Sequence, residues 1–130
     1  IRRQRQMCIR DRPYARASQN KVLNACDIAV ISLNKSILGM GVPSKSYNIL
    51  ASGKPILYIG PLESEIALMI TENRIGYCFD TDNAEGILTF FNNLNSGMIC
   101  ELRDMGIRAR KLVETKYSKE IILQKFYNCI

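Results

Sequence analysis

Short apolar runs alternate along this chain with longer segments in which apolar residues recur every three or four positions. Three of these runs predict strands: DIAVIS at 27–32, PILYIG at 55–60 and IGYCFD at 75–80. The first is an almost unbroken apolar run, which is typical of a parallel strand covered on both faces. Because strands and helical patterns alternate, we predict an α/β fold, a parallel sheet with helices on both faces.

Six helices are predicted around these strands. They occupy 17–25, 44–52, 63–73, 83–95, 101–115 and a last segment that begins after Ser118. The residues expected to face the core are Tyr47, Leu50 and Ala51 in the second helix; Ile66, Met69 and Ile70 in the third; Ile87, Leu88, Phe91 and Leu94 in the fourth; and Leu102, Met105, Ala109 and Leu112 in the fifth.

Three helix ends carry recognisable signals. Asp82 and Glu85 are spaced like a capping box at the start of the fourth helix, and Gly97 suits its end. Ser118 is placed to cap the last helix.

The last helix holds more apolar residues than one buried stripe requires. They are Ile121, Ile122, Leu123, Phe126, Tyr127 and Ile130. One interpretation is that part of this helix forms an exposed apolar surface that meets another part of a longer protein, so that the chain alone self-associates. The alternative is that the helix lies in a groove and buries both sides.

The first twelve residues, IRRQRQMCIRDR, carry five arginines and have neither a helical nor a strand period. A basic arm of this kind is typical of nucleic-acid binding. However, residues 2–12 resemble the translation of an adapter used in transposase-based sequencing libraries, over eleven consecutive positions. We therefore treat 1–12 as a non-native stretch and expect one domain at 13–130, as the C-terminal piece of a longer protein.

This exclusion changes the charge argument. The whole chain has 18 Lys+Arg and 12 Asp+Glu, a net charge of +6. Without the five arginines and Asp11 of the first twelve residues, 13 basic and 11 acidic side chains are left, a net charge of +2. That balance no longer favours nucleic acid as a partner. The remaining cysteines are isolated and histidine is absent, so no common zinc-binding spacing is present.

The loop after the first predicted strand holds the candidate chemistry. In open parallel sheets, ligands bind at the carboxyl ends of the strands. There, Gly39 and Gly41 allow close approach of the backbone to a ligand, and Ser44 is placed to cap the next helix. Lys45 falls in the first helical turn, where the positive end of the helix dipole disfavours a cation unless an anion such as phosphate compensates. A solvated lysine is the alternative interpretation. Ser64 and Glu65 lie at the next junction between a strand and a helix. They either only stabilise that helix start or belong to a helix start that faces the donor phosphates or the acceptor.

The segment GVPSKSYNILASGKPILYIG, at 41–60, resembles the donor-site segment of family-four glycosyltransferases with the GT-B fold. The match is to a bacterial subgroup with the pattern V-P-S-K-x-Y-x-x-L-A-x-G-x-P. Flanking segments resemble the same family, so that the similarity extends from about residue 19 to the end. The family fold consists of two Rossmann-like domains that face each other across a cleft, and the C-terminal domain binds a nucleotide-sugar donor.

The resemblance implies roles for six residues. Gly41, Val42 and Pro43 would lie along the donor, Ser44 and Lys45 would face its diphosphate, and Asn48 would sit near the ribose. Many members carry two glutamates eight positions apart, which correspond to Met40 and Asn48 here. Asn48 can still hydrogen-bond a ribose hydroxyl, but Met40 cannot replace a carboxylate, which leaves the sugar undefined.

By resemblance, the chain is then the donor-binding part of a retaining glycosyltransferase. It would transfer a sugar from a nucleoside diphosphate to an envelope polysaccharide or glycolipid acceptor, without a metal cofactor. The N-terminal acceptor domain and the catalytic residues would lie upstream, in a cytoplasmic protein with peripheral contact to the inner membrane face. A nucleotide-sugar epimerase of the same fold is one alternative. A basic nucleic-acid-binding module is another, which depends on the N-terminal arginines.

Overall fold

A three-stranded parallel sheet forms the centre of the structure, a computed structural model that describes residues 16–130. Its strands, in spatial order, are β1 (Ala29–Ser32), β2 (Ile56–Ile59) and β3 (Gly76–Phe79). Ile31 of β1 pairs with Tyr58 of β2, which pairs in turn with Cys78 of β3. The predicted α/β fold, a Rossmann-like open parallel sheet flanked by helices, is confirmed.

All six predicted helices are present, with ends that differ from the prediction by at most three residues. They are α1 (Gln19–Ala25), α2 (Ser44–Ala51), α3 (Glu65–Asn73), α4 (Ala84–Asn93), α5 (Ile99–Leu112) and α6 (Lys119–Asn128). Short 3-10 helices at Arg16–Ser18, Lys35–Ile37 and Ser96–Met98, and a π-helical turn at Val113–Tyr117, lie between them. No helix of residues 16–130 is both long enough and apolar enough to cross a bilayer.

One face of the sheet carries the main core. Its buried side chains are Ile31, Ile49, Leu50, Ile56, Tyr58, Ile66, Ala67, Met69, Ile70, Ile75, Ala109 and Leu112. The core faces predicted for the third and fifth helices, now α3 and α5, are confirmed, because all of their predicted core residues are buried. In α2, Leu50 is buried as predicted, but Ser46 and Ile49 complete its inner face and Tyr47 is only half-buried.

The opposite face of the sheet is covered over β3 and open over β1. Phe90 of α4 packs on Tyr77 and Phe79, with ring centroids 4.7 and 5.7 Å apart. Val30 of β1, on the same face, is 56% exposed. The prediction that β1 is covered on both faces is therefore wrong for the described part of the chain, because α4 reaches only the β3 side of this face.

The core face of α4 is also different from its prediction. Phe90 is buried, whereas Leu88 and Phe91 are 61% and 45% exposed. The helix starts at Ala84 with Asn83 as its cap, and this start turns Phe90 toward β3. Two adjacent phenylalanines cannot both face the sheet, since consecutive helical residues differ by about 100° in direction.

Two of the three predicted helix ends are corrected. Asn83, not Asp82, caps α4, because its side chain accepts a hydrogen bond from the Gly86 amide. Gly97 does not end α4, which finishes at Asn93; it belongs to the next 3-10 helix. The cap at Ser118 is confirmed, since its hydroxyl accepts from the Ile121 amide.

The last two helices differ in how far they are buried: α5 packs against the rest of the domain, whereas α6 is exposed. α5 runs past the turn that precedes β2, where Gly106 packs against the carbonyl oxygen of Gly53. α6 has no buried residue, and Phe126, Tyr127 and Ile130 are 64%, 72% and 90% exposed. The predicted apolar surface is thus present among residues 16–130. Self-association of the chain stays a prediction. The stretch 1–12 lies outside the described residues.

Candidate functional site

The candidate site lies at the carboxyl edge of the sheet, where three loops meet. The loop 33–43 follows β1, the loop 60–64 follows β2 and the loop 80–83 follows β3. Backbone hydrogen bonds fasten the first residues of two of these loops: the Leu33 amide donates to the Ile59 carbonyl, and the Gly60 amide donates to the Phe79 carbonyl. This is the edge at which open parallel sheets bind ligands.

Two glycines set the course of the loop after β1. Gly39 has φ 83° and Gly41 has φ 98°, a backbone region that favours glycine. A Cβ at either position would have no neighbour within 4 Å, so the requirement for glycine is conformational rather than steric. Met40, held between them, is 79% exposed. The loop therefore presents its backbone to solvent beside the start of α2.

The start of α2 is open. Pro43 occupies the cap position and provides no side-chain hydrogen bond to the first turn. The expectation that Ser44 caps this helix is wrong, because Ser44 is already the first helical residue and the extended backbone belongs to Pro43. The Ser46 amide donates to the Pro43 carbonyl, so the amides of Ser44 and Lys45 are the ones left for an external acceptor.

Lys45 points away from the core at this open helix start. Its side chain is exposed, and no acidic residue occupies the first turn of α2. Within residues 16–130, Lys45 has neither an ion pair nor a hydrogen-bonding partner for its side chain. A cation at the positive end of a helix is unfavourable by a few tenths of a kcal/mol, roughly, unless an anion binds there. The arrangement suits a phosphate group.

The structure brings five of the six predicted site residues together. Residues 41–45 form one continuous surface at the carboxyl edge, with Val42 half-buried against the core. Asn48 lies one turn further along α2 and is exposed, on the side that faces α1. It lines a polar groove together with Gln19, Asn20, Asn24, Ser52 and Arg110. A ligand that contacts both Lys45 and Asn48 therefore has to extend along the outer side of α2.

The start of α3 at the same edge is closed. The Ser64 hydroxyl accepts from the Ala67 amide at 3.3 Å and donates to the Tyr58 hydroxyl at 2.8 Å. Tyr58 in turn donates to the Pro61 carbonyl at 3.2 Å. Glu65 complements the helix dipole in the first turn. This supports the structural interpretation of Ser64 and Glu65, and it shows a buried network that the sequence patterns did not indicate.

We expect Tyr58→Phe to lower the free energy of unfolding by about 1–3 kcal/mol, because the Pro61 carbonyl would lose its buried donor. Tyr58 is fully buried, so water cannot replace the hydroxyl without rearrangement. Urea denaturation measures the change. The matched control is Tyr127→Phe, since Tyr127 is 72% exposed and its substitution should leave stability unaltered. Equal effects of the two substitutions would contradict the network.

An ion pair joins two loops of the site, and sequence reasoning did not find it. Lys35, in the loop after β1, donates to Asp82 at 2.8 Å and lies 3.9 Å from Asp80, both in the loop after β3. The hydrogen bond and charge of Asp82, and then the charge of Asp80, raise the pKa of Lys35. The sequence feature that could have indicated this ion pair is that Lys35, Asp80 and Asp82 all follow the ends of strands.

The carboxyl edge holds a small cleft, of about 10 Å³, rather than a large cavity. Gly41 lines it with Leu33, Asn34, Ile37, Leu38, Gly39, Tyr58, Pro61, Ser64 and Glu65. A larger groove, of about 740 Å³, lies at the opposite edge of the sheet, away from every predicted site residue. We assign the site to the smaller cleft, because the open helix start and the unpaired lysine are beside it. Within the described residues, no group of three or more His, Cys, Asp or Glu side chains is placed to hold a metal ion.

Comparison with known proteins provides one relative. The chain is 34% identical over 128 residues to the probable glycosyltransferase WbjE of Pseudomonas aeruginosa. The match includes 95% of this chain but only 31% of that protein, so the chain spans about a third of its relative's length. No protein-family model matches the chain. No solved structure matches it either.

Proposed function

We propose that this chain is the donor-binding, C-terminal part of a retaining glycosyltransferase with a GT-B fold. The observation that carries the proposal is the open start of α2, where Lys45 stands unpaired among the described residues at the ligand-binding edge of a parallel sheet. The similarity to a probable glycosyltransferase supports it. The proposed donor is a nucleoside diphosphate sugar.

The proposed chemistry needs stabilisation of the leaving group. When the bond between the sugar and the diphosphate breaks, negative charge increases on the phosphate oxygens. The free amides of Ser44 and Lys45 and the Lys45 ammonium group would interact with that charge, without a metal ion. Because this charge is greater in the transition state than in the bound donor, the contact lowers the barrier as well as supporting binding.

The other predicted site residues would hold the rest of the donor. The backbone at Gly41, Val42 and Pro43 would lie along it, since Gly41 has no side chain to obstruct the approach of the donor to the backbone. Asn48, three residues beyond Lys45 and on the same side of α2, would bond a ribose hydroxyl through its amide. The polar groove between α1 and α2 continues from that point.

The remaining parts of the enzyme would lie in the rest of a longer protein. An N-terminal domain would bind an envelope polysaccharide or glycolipid acceptor on the cytoplasmic side of the membrane and contribute the catalytic residues. The match to about a third of a relative is consistent with this division. The chain alone should bind the donor weakly and catalyse no transfer.

The test is Lys45→Ala in the longer protein, with affinity for UDP, GDP and dTDP measured by calorimetry. A charge-assisted phosphate contact contributes about 1.5–3 kcal/mol, so we expect the affinity for the preferred nucleotide to fall by about 10- to 150-fold. The thermal unfolding midpoint should not change, because Lys45 is exposed.

Lys119→Ala is the matched control. Lys119 is also an exposed lysine in the first turn of a helix, but the Ser118 hydroxyl caps that helix, so its start is not open. Its substitution should leave nucleotide affinity unchanged. Unaltered affinity in Lys45→Ala would show that Lys45 is only solvated and would remove the main support for the proposal.

A further inference from the structure

The strand β1 has a neighbour on one side only. Within residues 16–130, the sheet has the order β1-β2-β3, so β2 borders β1 on one side and no strand borders it on the other. The Ala29 amide donates to the Pro55 carbonyl, and the Leu33 amide donates to a carbonyl of β2. Because the backbone groups of successive strand residues point to opposite sides, those of Val30 and Ser32 point away from β2. We call this side, with its free backbone donors and acceptors, the outer edge of β1.

The outer edge of β1 lacks the usual protection of an edge strand. Soluble proteins place charges or prolines on such strands, because an unprotected edge pairs with another strand. β1 has the sequence AVIS, which contains neither. Val30 is 56% exposed and Ser32 is exposed as well, on the face of the sheet that α4 leaves open. A parallel strand is normally covered on both faces, so β1 has the composition of an inner strand in the position of an edge strand.

The helices indicate on which side of β1 a further strand would lie. α2 leads from β1 to β2 and α3 leads from β2 to β3, and both pack on the main core face. Right-handed crossovers that use one face advance across the sheet in one direction. α1 precedes β1 and lies on the same face, since Leu23 packs against the main core and α1 forms a groove with α2. A strand that precedes α1 therefore belongs on the side of the outer edge.

We propose that the outer edge of β1 pairs with a parallel strand from the part of the longer protein that precedes residue 13. The backbone of that strand would bond the outward amides and carbonyls of Val30 and Ser32. The same part of the protein would cover the open face over Val30. The donor-binding domain is then larger than residues 13–130, and the predicted boundary at 13 lies inside it.

The length of the relative leaves room for this partner. The similar region includes only 31% of the probable glycosyltransferase, so more than two thirds of that protein lies outside it. A strand with its crossover helix needs only about 30 residues or fewer. The inference rests on the backbone pattern of β1 and on the position of α1, and therefore does not depend on the proposed transfer reaction.

Amide hydrogen exchange in the longer protein tests the pairing, resolved by residue with mass spectrometry and electron-transfer fragmentation. The Val30 and Ser32 amides should exchange at least about 100-fold more slowly than the Cys78 amide, after correction for intrinsic rates. Cys78 is the matched control. Its amide also points away from β2, at the other edge of the sheet, where no strand of residues 16–130 lies.

Two outcomes of the exchange experiment would overturn the proposal. Exchange of Val30 and Ser32 as fast as that of Cys78 would show that the outer edge is free. Slow exchange that appears only at high protein concentration would assign the edge to a second copy of the protein.

Val30→Lys tests the covering of the open face. In the 130-residue chain the substitution should leave the thermal unfolding midpoint unaltered, because Val30 is exposed there. In the longer protein the midpoint should fall by about 5 °C or more, since the new charge would be buried. Leu68→Lys is the matched control, at a 50% exposed apolar residue of α3 on the other face of the sheet. Equal midpoints of the two variants in the longer protein would contradict the proposal.

Discussion

Ile70→Ala should lower the free energy of unfolding by about 2–5 kcal/mol. Ile70 is fully buried on the inner side of α3, within the core shared with β2, β3 and α5. Truncation removes three carbon atoms from that core and leaves a cavity, because sheet and helix atoms surround the site and can close it only in part. A domain of this size has a stability of about 5–15 kcal/mol, so the loss is a large fraction of the total.

Leu68→Ala is the control, on the same helix and two residues away. Leu68 is 50% exposed, so its truncation should change stability by about 0.5 kcal/mol or less. Urea denaturation monitored by circular dichroism measures both variants. The midpoint of Ile70→Ala should fall with an unaltered slope against denaturant, since the surface exposed on unfolding is nearly the same. Similar midpoints for the two variants would show that the inner side of α3 is assigned incorrectly.

The strands were predictable from sequence because they are short and apolar, with β-branched residues in β1 and β2 and aromatic residues in β3. The core sides of α3 and α5 were predictable for a related reason: their apolar residues recur at three and four positions over nine and fourteen residues. In α4 the same method failed. Its apolar positions include Leu88, Phe90 and Phe91, and their pattern allows more than one side to face the sheet.

Local ambiguity also explains the wrong helix cap. Asp82 and Asn83 are adjacent, and both side chains suit a cap. Asp82 is instead paired with Lys35, which is 47 residues away. No pattern within one helix contains that information. The same limit applies to Tyr58 and Ser64, whose hydrogen bond requires the end of β2 to meet the start of α3.

The candidate donor site was predicted in part. The glycines, Lys45 and the position of the loop after a strand were sufficient to place residues 41–45 at the carboxyl edge. The orientation of Asn48 toward α1 could not be predicted, because it depends on where α1 packs. The groove between α5 and the turn at 53–55 was missed for another reason. The residues of α5 that line it have helical spacing, but the exposed side of a helix carries no fixed pattern, and only packing against that turn makes a groove.

Gly106→Ala should lower the free energy of unfolding by about 1–3 kcal/mol, although alanine favours helices more than glycine does. A Cβ at Gly106 would overlap the carbonyl oxygen of Gly53. That oxygen belongs to the turn before β2, and Gly53 itself has φ 69°, so neither partner can move by a side-chain rotation. α5 would have to move away from the sheet, which would open the contacts of Met105 and Ala109 as well.

Gly86→Ala is the matched control, because it places the same methyl group in another helix. There the nearest atoms belong to the side chain of Asn83, which can rotate away. The loss of that helix cap and the gain in helix propensity are each about 1 kcal/mol and nearly cancel. We therefore expect a clear decrease in the thermal unfolding midpoint for Gly106→Ala and little change for Gly86→Ala. A Gly106→Ala chain as stable as the original would show that α5 does not rest on the Gly53 carbonyl. The groove that α5 forms with this turn would then need a different geometry.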